Sequence, residues 1–406
     1  MACVIKWGWA FAERRLMLMS GNNIRIRAAW KGAALVAAAL TTALTTAVAG
    51  AGGALAAPST QPAQAARGAN GASSLVPLRQ VGLGWSVAEY SAATVGKHAH
   101  KGKITLYAVS PQGRKFAFYS WPAANVGPRT FNLVDWSGDG QRVLVQNLYR
   151  FEQISLVTGK VINSFKLPPD AQVIGYTRPL GENLLVQLNG IRRYSLTGKL
   201  TKVLTRTNGS PIESPDGTSV IVGTSYGVEQ VGNLGGVIKR LHVPTAVFGC
   251  NPVRWWNATT VLADCGAKHP LGAAPRLWLF PVKGGRVTAL TAQRNGHSED
   301  LGDIDAWKLT SGVYLQALGP CAVVFIATQS RNGTAHQVTI PGVHFPIDQV
   351  ITGHDSSLLV RGVNECGGGA SLLWFNPHTK KVTWVIHSPS NVVGVGVAVP
   401  FGRPVS

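Results

Sequence analysis

Acidic residues are scarce in this sequence: 18 Asp and Glu stand against 38 Lys and Arg, and charged residues of either sign make up only 14% of its 406 positions. Amphipathic helices need a charged outer face, and from about Leu78 onward no 3.6-residue apolar period is sustained. A helical architecture is therefore excluded. No two cysteines have the CxxC spacing, which argues against a zinc site. The basic excess of +20 contains no run of five or more Lys or Arg. It reads as a diffuse field that draws polyanions from a distance, and nucleic acid is not expected as the partner.

What is present points to strands. Apolar residues reach 45%, enough for a large core, and 47 glycines suit many short strands joined by tight turns. Before the strands comes a leader. Arg25, Arg27 and Lys31 precede an uncharged stretch from Gly32 to Ala49, and Ala54-Leu55-Ala56 offers small residues for cleavage. Residues 1–57 are read as a signal peptide and 58–77, rich in Pro, Gln, Ala, Gly and Ser, as a disordered linker. The chain is thus expected to be secreted, with no membrane span in the mature form; a retained leader would make it a membrane-anchored scaffold instead. Cys250, Cys265, Cys321 and Cys366 follow the leader, an even number that suggests two disulfides in an exported chain.

Residues 78–402 carry a repeat. Turns such as Thr158-Gly159-Lys160 and Thr197-Gly198-Lys199 recur near positions 111, 159, 198, 235, 284, 333 and 379, steps of 37 to 49 residues. Four short strands with their turns need about 40–50 residues, the length of a propeller blade. The expectation is an all-β, seven-bladed β-propeller of four-stranded antiparallel blades, with six blades as the alternative. The first blade lacks an inner strand, and the run Val392–Val399 at the other end has nowhere else to pair. A C-terminal strand completing the first blade would close the ring and remove its open edges.

Two turns carry a family likeness. Trp136-Ser137-Gly138-Asp139-Gly140-Gln141-Arg142-Val143 and Glu213-Ser214-Pro215-Asp216-Gly217-Thr218-Ser219-Val220 resemble the Trp-Ser-Pro-Asp-Gly-Lys-x-Val turn of TolB-type, WD-repeat-like β-propellers. The resemblance implies the fold and leaves function open, because propellers host binding proteins and enzymes alike. The amino-terminal domain of TolB has no counterpart in the linker, so a place in that envelope complex is not implied.

Several groups are candidates for chemistry. Cys250 and Cys265 flank the turn at Asn257-Ala258 symmetrically, so they would meet across a hairpin, and Cys321 and Cys366 could join neighbouring blades. Gly223-Thr224-Ser225-Tyr226-Gly227 matches the G-x-S-x-G nucleophile elbow, but that device needs a strand–turn–helix and here strands flank it. Lys97, His98, His100 and Lys101 form a basic loop suited to an anionic ligand; the lysines repel a metal ion. Glu299, Asp300, Asp303 and Asp305 gather four of the 18 acids into seven residues. Alternation would put Asp303, Asp305 and Trp307 on one face of an inner strand, able to meet a ligand or Ca²⁺ in the central channel. No other blade offers an evident carboxylate at that level. Trp121, Trp136, Trp255, Trp256, Trp278, Trp307, Trp374 and Trp384 read as packing between blades. The functional expectation is a monomeric, non-enzymatic binding module for an anionic polymer or protein outside the cell. A polysaccharide hydrolase or lyase using channel carboxylates is the alternative.

Overall fold

The computed structural model describes residues 75–94, 102–123, 131–268, 274–293, 301–319, 324–329, 335–344, 346–362 and 369–402. Apart from a 3₁₀ turn at Leu78–Gln80, its regular elements are all strands. The first sheet joins β1 (Ser86–Thr94), β2 (Lys103–Val109) and β3 (Lys115–Pro122) to the last strand, β28 (Val392–Pro400), in the order β28-β1-β2-β3. Next come β4 (Asn132–Trp136), β5 (Arg142–Asn147), β6 (Arg150–Ser155) and β7 (Val161–Lys166). The third set is β8 (Gln172–Tyr176), β9 (Asn183–Gln187), β10 (Ile191–Ser195) and β11 (Leu200–Thr205). The fourth is β12 (Pro211–Glu213), β13 (Ser219–Thr224), β14 (Gly227–Gly232) and β15 (Val237–His242). The fifth is β16 (Val247–Asn257), β17 (Thr260–Ala267), β18 (Arg276–Pro281) and β19 (Thr288–Ala289). All are antiparallel meanders.

The remaining strands form one eight-stranded sheet. It holds β20 (Gly302–Leu309), β21 (Gly312–Leu318), β22 (Val324–Gln329) and β23 (Ala335–Gln337), then β24 (Ile347–His354), β25 (Ser357–Gly362), β26 (Ser371–Phe375) and β27 (Val382–Ile386). The single pair Val324–Ile347 links the two halves.

The core is divided among the gaps between neighbouring sets. Trp85, Val87 and Leu106 of the first pack on Leu133, Trp136 and Val143 of the second. Leu144 and Phe151 meet Tyr176 and Leu184, Leu185 and Ile191 meet Val220 and Val222, and Ile221 and Val228 meet Trp255 and Val261. Leu262 meets Ala306 and Leu315, Trp307 and Tyr314 meet Leu358 and Val360, and Leu359 and Leu372 meet Ala88 and Val395. The last gap returns to the first sheet. The ring is closed, and β28 closes it as the sequence pattern required.

The repeated turns explain themselves in this packing. The turns at Gly113, Gly159, Gly198 and Gly235 each lie over the outer strand of the preceding set. Gly198 has φ +81, and a Cβ there would come 2.6 Å from the Lys166 carbonyl oxygen at the end of β7. Only glycine allows both the left-handed backbone and that approach. Cys250 and Cys265 are directly paired across β16 and β17, Cα atoms 4.1 Å apart, and are disulfide-bonded. Closing a loop of this length contributes about 3 kcal/mol in the chain-entropy account. Cys321 and Cys366 lie outside the described residues.

Candidate functional site: the inner strands and the central cavity

All the inner strands but β12 share one irregularity. Pairing skips a residue between Leu133 and Asp135, Val173 and Gly175, Pro252 and Arg254, Asp303 and Asp305, and Val350 and Thr352. In the first sheet the skipped residue is Gly396 on β28. Such a bulge re-aims the side chains on either side of it. This corrects the alternation argument. Asp303 stands opposite Ala317 and Asp305 opposite Gln316, successive residues that a strand sends to opposite faces. Asp303 and Asp305 therefore do not share a face, while Asp305 and Trp307 remain in step. The bulge also shows that Asp305 has a counterpart: Asp135 follows the bulge of β4 as Asp305 follows that of β20.

Most of the charges buried at this inner edge are answered by a neighbouring set. Asp135 is fully buried; it accepts the Tyr176 backbone N–H at 2.8 Å and faces the Arg178 guanidinium at 3.3 Å. Arg178 donates its backbone N–H to Glu213 at 2.7 Å, and Arg193 pairs with the other Glu213 oxygen at 2.8 Å. Trp255 donates its indole N–H to the Glu213 carbonyl at 2.9 Å. Arg254 forks onto Asp305, with Nε 2.7 Å from Oδ1, and lies 4.3 Å over the Trp307 ring. Arg361 pairs with Asp348 and donates Nε–H to the Val395 carbonyl at 2.7 Å.

Two equivalent positions finish the circuit. Glu89 on β1 accepts the Leu133 N–H at 2.9 Å, and Gln316 on β21 accepts the Val350 N–H at 3.0 Å. Leu133 and Val350 are each the residue before a bulge. A bulge leaves a backbone N–H out of the ladder, and a buried N–H needs a partner. The neighbouring set supplies one through a long polar side chain.

Burial and these partners set the carboxyl pKa values. Burial pushes Glu89 up to about 7, against the pull of the Leu133 N–H and of Arg361. Burial likewise pushes Asp348 up to about 6, with Arg361 pulling the other way. Glu213 is also raised by burial, opposed by the Arg178 N–H and by Arg193.

At the centre lies a cavity of about 180 Å³ walled by Ile212, Glu213, Val253, Arg254, Trp255, Ile351 and Pro400. These residues come from four sets of strands: β12, β16, β24 and β28. Val253 and Ile351 are bulge residues, so the irregularity itself turns aliphatic side chains into the channel.

The other candidates are placed as follows. Lys97, His98, His100 and Lys101, with Glu299 and Asp300, lie outside the described residues. Among the described residues no group of three or more His, Cys, Asp or Glu could hold a metal ion. Ser225 sits in the two-residue turn between β13 and β14, a hairpin and not an elbow into a helix. Trp136, Trp255, Trp256, Trp278, Trp307 and Trp374 are buried between sets, whereas Trp384 is exposed. Glu89, Asp135, Glu213, Arg254 and Arg361 were not singled out from the sequence. The available signal was a lone charge inside an apolar strand, as in Val134-Asp135-Trp136.

No family model matches the sequence, and no curated protein matches it. Solved structures do. A prolyl endopeptidase structure aligns at 13% identity and a TM-score of 0.50, covering 75% of this chain and 50% of that one. The β-propeller domain of the trilobed protease from Pyrococcus furiosus aligns at 10% and 0.48, covering 76% and 94%. TolB from Acinetobacter baumannii aligns at 13% and 0.40, covering 78% and 66%. The chain spans half the length of the prolyl endopeptidase it matches. At such identities the likeness is one of architecture. In its fold the chain is a β-propeller, with TolB among its structural neighbours.

Proposed function

We propose that this chain is an exported, non-enzymatic binding module, a seven-bladed ring when the eight-stranded sheet is counted as two blades. The central cavity receives a projecting group of an anionic envelope polymer, drawn by the excess of 32 Lys and Arg over 17 Asp and Glu in residues 58–406. One observation carries the reading: a cavity of about 180 Å³ built by four separate sets of strands, with the charges around it already matched. Matched charges hold a rigid frame, and aliphatic walls with an indole beside them suit binding. Export is supported by the leader pattern and by the Cys250–Cys265 bond. Among the described residues no helix is long and apolar enough to cross a membrane.

A hydrolase is the second reading, favoured by the raised pKa values of Glu89 and Asp348, both held near Arg361. One experiment separates the two. The protein is passed over immobilised envelope polymers and acidic glycans at low and high salt, and the same mixtures are assayed for new reducing ends. Salt-sensitive retention without product, reduced by Val253→Trp in the cavity wall, supports the binding module. Product formation that disappears in Glu89→Gln or Asp348→Asn makes it an enzyme. Retention by an acidic protein and by none of the polymers would change the ligand class and keep the module.

A further inference from the structure

The outer rim carries a feature that the channel does not use. β7, β11 and β15 are the fourth strands of three consecutive sets, and each carries exposed aliphatic residues: Val161 and Ile162, Leu200 and Val203, Val237 and Ile238. Ile162 is 53% exposed and Ile238 63%; Leu234, in the turn before β15, is 84% exposed. In these sets each Gly-containing turn sits on the outer strand of the set before it. The Gly198 turn lies against Lys166 of β7, and Gly235 lies 3.3 Å from the Val203 and Leu204 carbonyls of β11, measured from its Cβ position. Between the aliphatics stand Lys160, Lys166, Lys199, Lys202, Arg206, Lys239 and Arg240. No Asp or Glu occurs in 156–167, 196–207 or 233–243.

We infer that this rim docks on an anionic lipid bilayer. Exposed aliphatics repeated on three successive outer strands suit an interaction surface. Basic residues interleaved with them match a surface that is negative at the headgroups and apolar just beneath. The outer edge of a closed ring is convex, so its side chains project into a deformable layer and offer no groove to a peptide. Arg240 is partnered by Glu229 at 2.9 Å, which leaves the lysines as the side chains to test.

The test is flotation of the full chain with vesicles of phosphatidylcholine alone or with added phosphatidylglycerol, with soluble polyphosphate as a competitor. The apolar leader is common to all forms, so differences between variants report the rim. The wild type is expected to float with the phosphatidylglycerol vesicles and poorly with phosphatidylcholine alone. Ile162→Ser/Leu200→Ser/Ile238→Ser, which leaves the charge unchanged, is expected to weaken flotation at least about tenfold. Lys160→Gln/Lys199→Gln/Lys202→Gln is expected to weaken it by about fivefold per lysine. Both variants should melt as the wild type does, and the serine variant, which keeps the charge, should keep polymer retention, so this inference can fail without the channel reading failing. Equal flotation of wild type and both variants, indifference to phosphatidylglycerol, or loss through the lysines alone with polyphosphate competing fully would overturn it. The last result would make the rim a general polyanion surface.

Discussion

The inner and outer edges of the same sheets treat charge in opposite ways. On the inner strands, carboxylates and guanidiniums are buried and matched: Asp135 with Arg178, Glu213 with Arg193, Asp305 with Arg254 and Asp348 with Arg361. On the outer strands β7, β11 and β15, basic residues stand in solvent with no acid among them. Burial forces pairing, since an unmatched charge in a low-dielectric setting is costly, while an exposed lysine stays hydrated wherever it stands. Inner charge therefore joins one set of strands to the next in three of these pairs, while the Asp348–Arg361 pair lies within one set and reaches the next through the Val395 carbonyl. Outer charge stands at the surface, with Arg240 held by Glu229 of β14.

Breaking the inner side should have the largest effect. Asp135→Ala leaves the buried Arg178 guanidinium without its carboxylate and the Tyr176 N–H without an acceptor. Urea unfolding is expected to show a loss of about 3–5 kcal/mol. A loss below about 1 kcal/mol would mean that the pair is not a joint between blades.

A smaller effect sharpens the contrast within the inner ring itself. Glu89 and Gln316 occupy equivalent positions and hold equivalent N–H groups, but only Glu89 titrates. Its folded pKa of about 7 lies above the ordinary 4.5. Stability from this group is thus fully present below pH 4.5 and is lost as pH rises through 7. Glu89→Gln should keep the acceptor oxygen, flatten the stability profile between those values and stabilise the fold at alkaline pH by roughly 1–3 kcal/mol. Thermal melts across pH check this, and an unchanged slope would assign the dependence to other groups. Smallest of all, Leu200→Ser and Lys202→Gln on the outer rim should shift stability by no more than about 0.5 kcal/mol.

Much of the fold was legible. The Thr-Gly-Lys turns marked the repeat because at Gly159 and Gly198 the approach to the strand before demands glycine, and the orphan run Val392–Val399 announced the closing strand. The hairpin disulfide followed from symmetric spacing about one turn. The inner ring was less legible because period-2 alternation has no place for a bulge. A one-residue slip at Ile304 separates Asp303 from Asp305, and the slip at Val134 brings Asp135 to the level of Asp305. Pairing such as Arg254 with Asp305 joins residues 51 positions apart, a distance over which local pattern carries no signal.

The most direct measurement is a double-mutant cycle on Arg254 and Asp305 by denaturant unfolding. If the inner charges are joints, Arg254→Met and Asp305→Leu each destabilise by about 3–5 kcal/mol, and the double variant recovers most of that loss. Single variants that unfold like the wild type, or losses that simply add, would show that the pair does not hold the ring together.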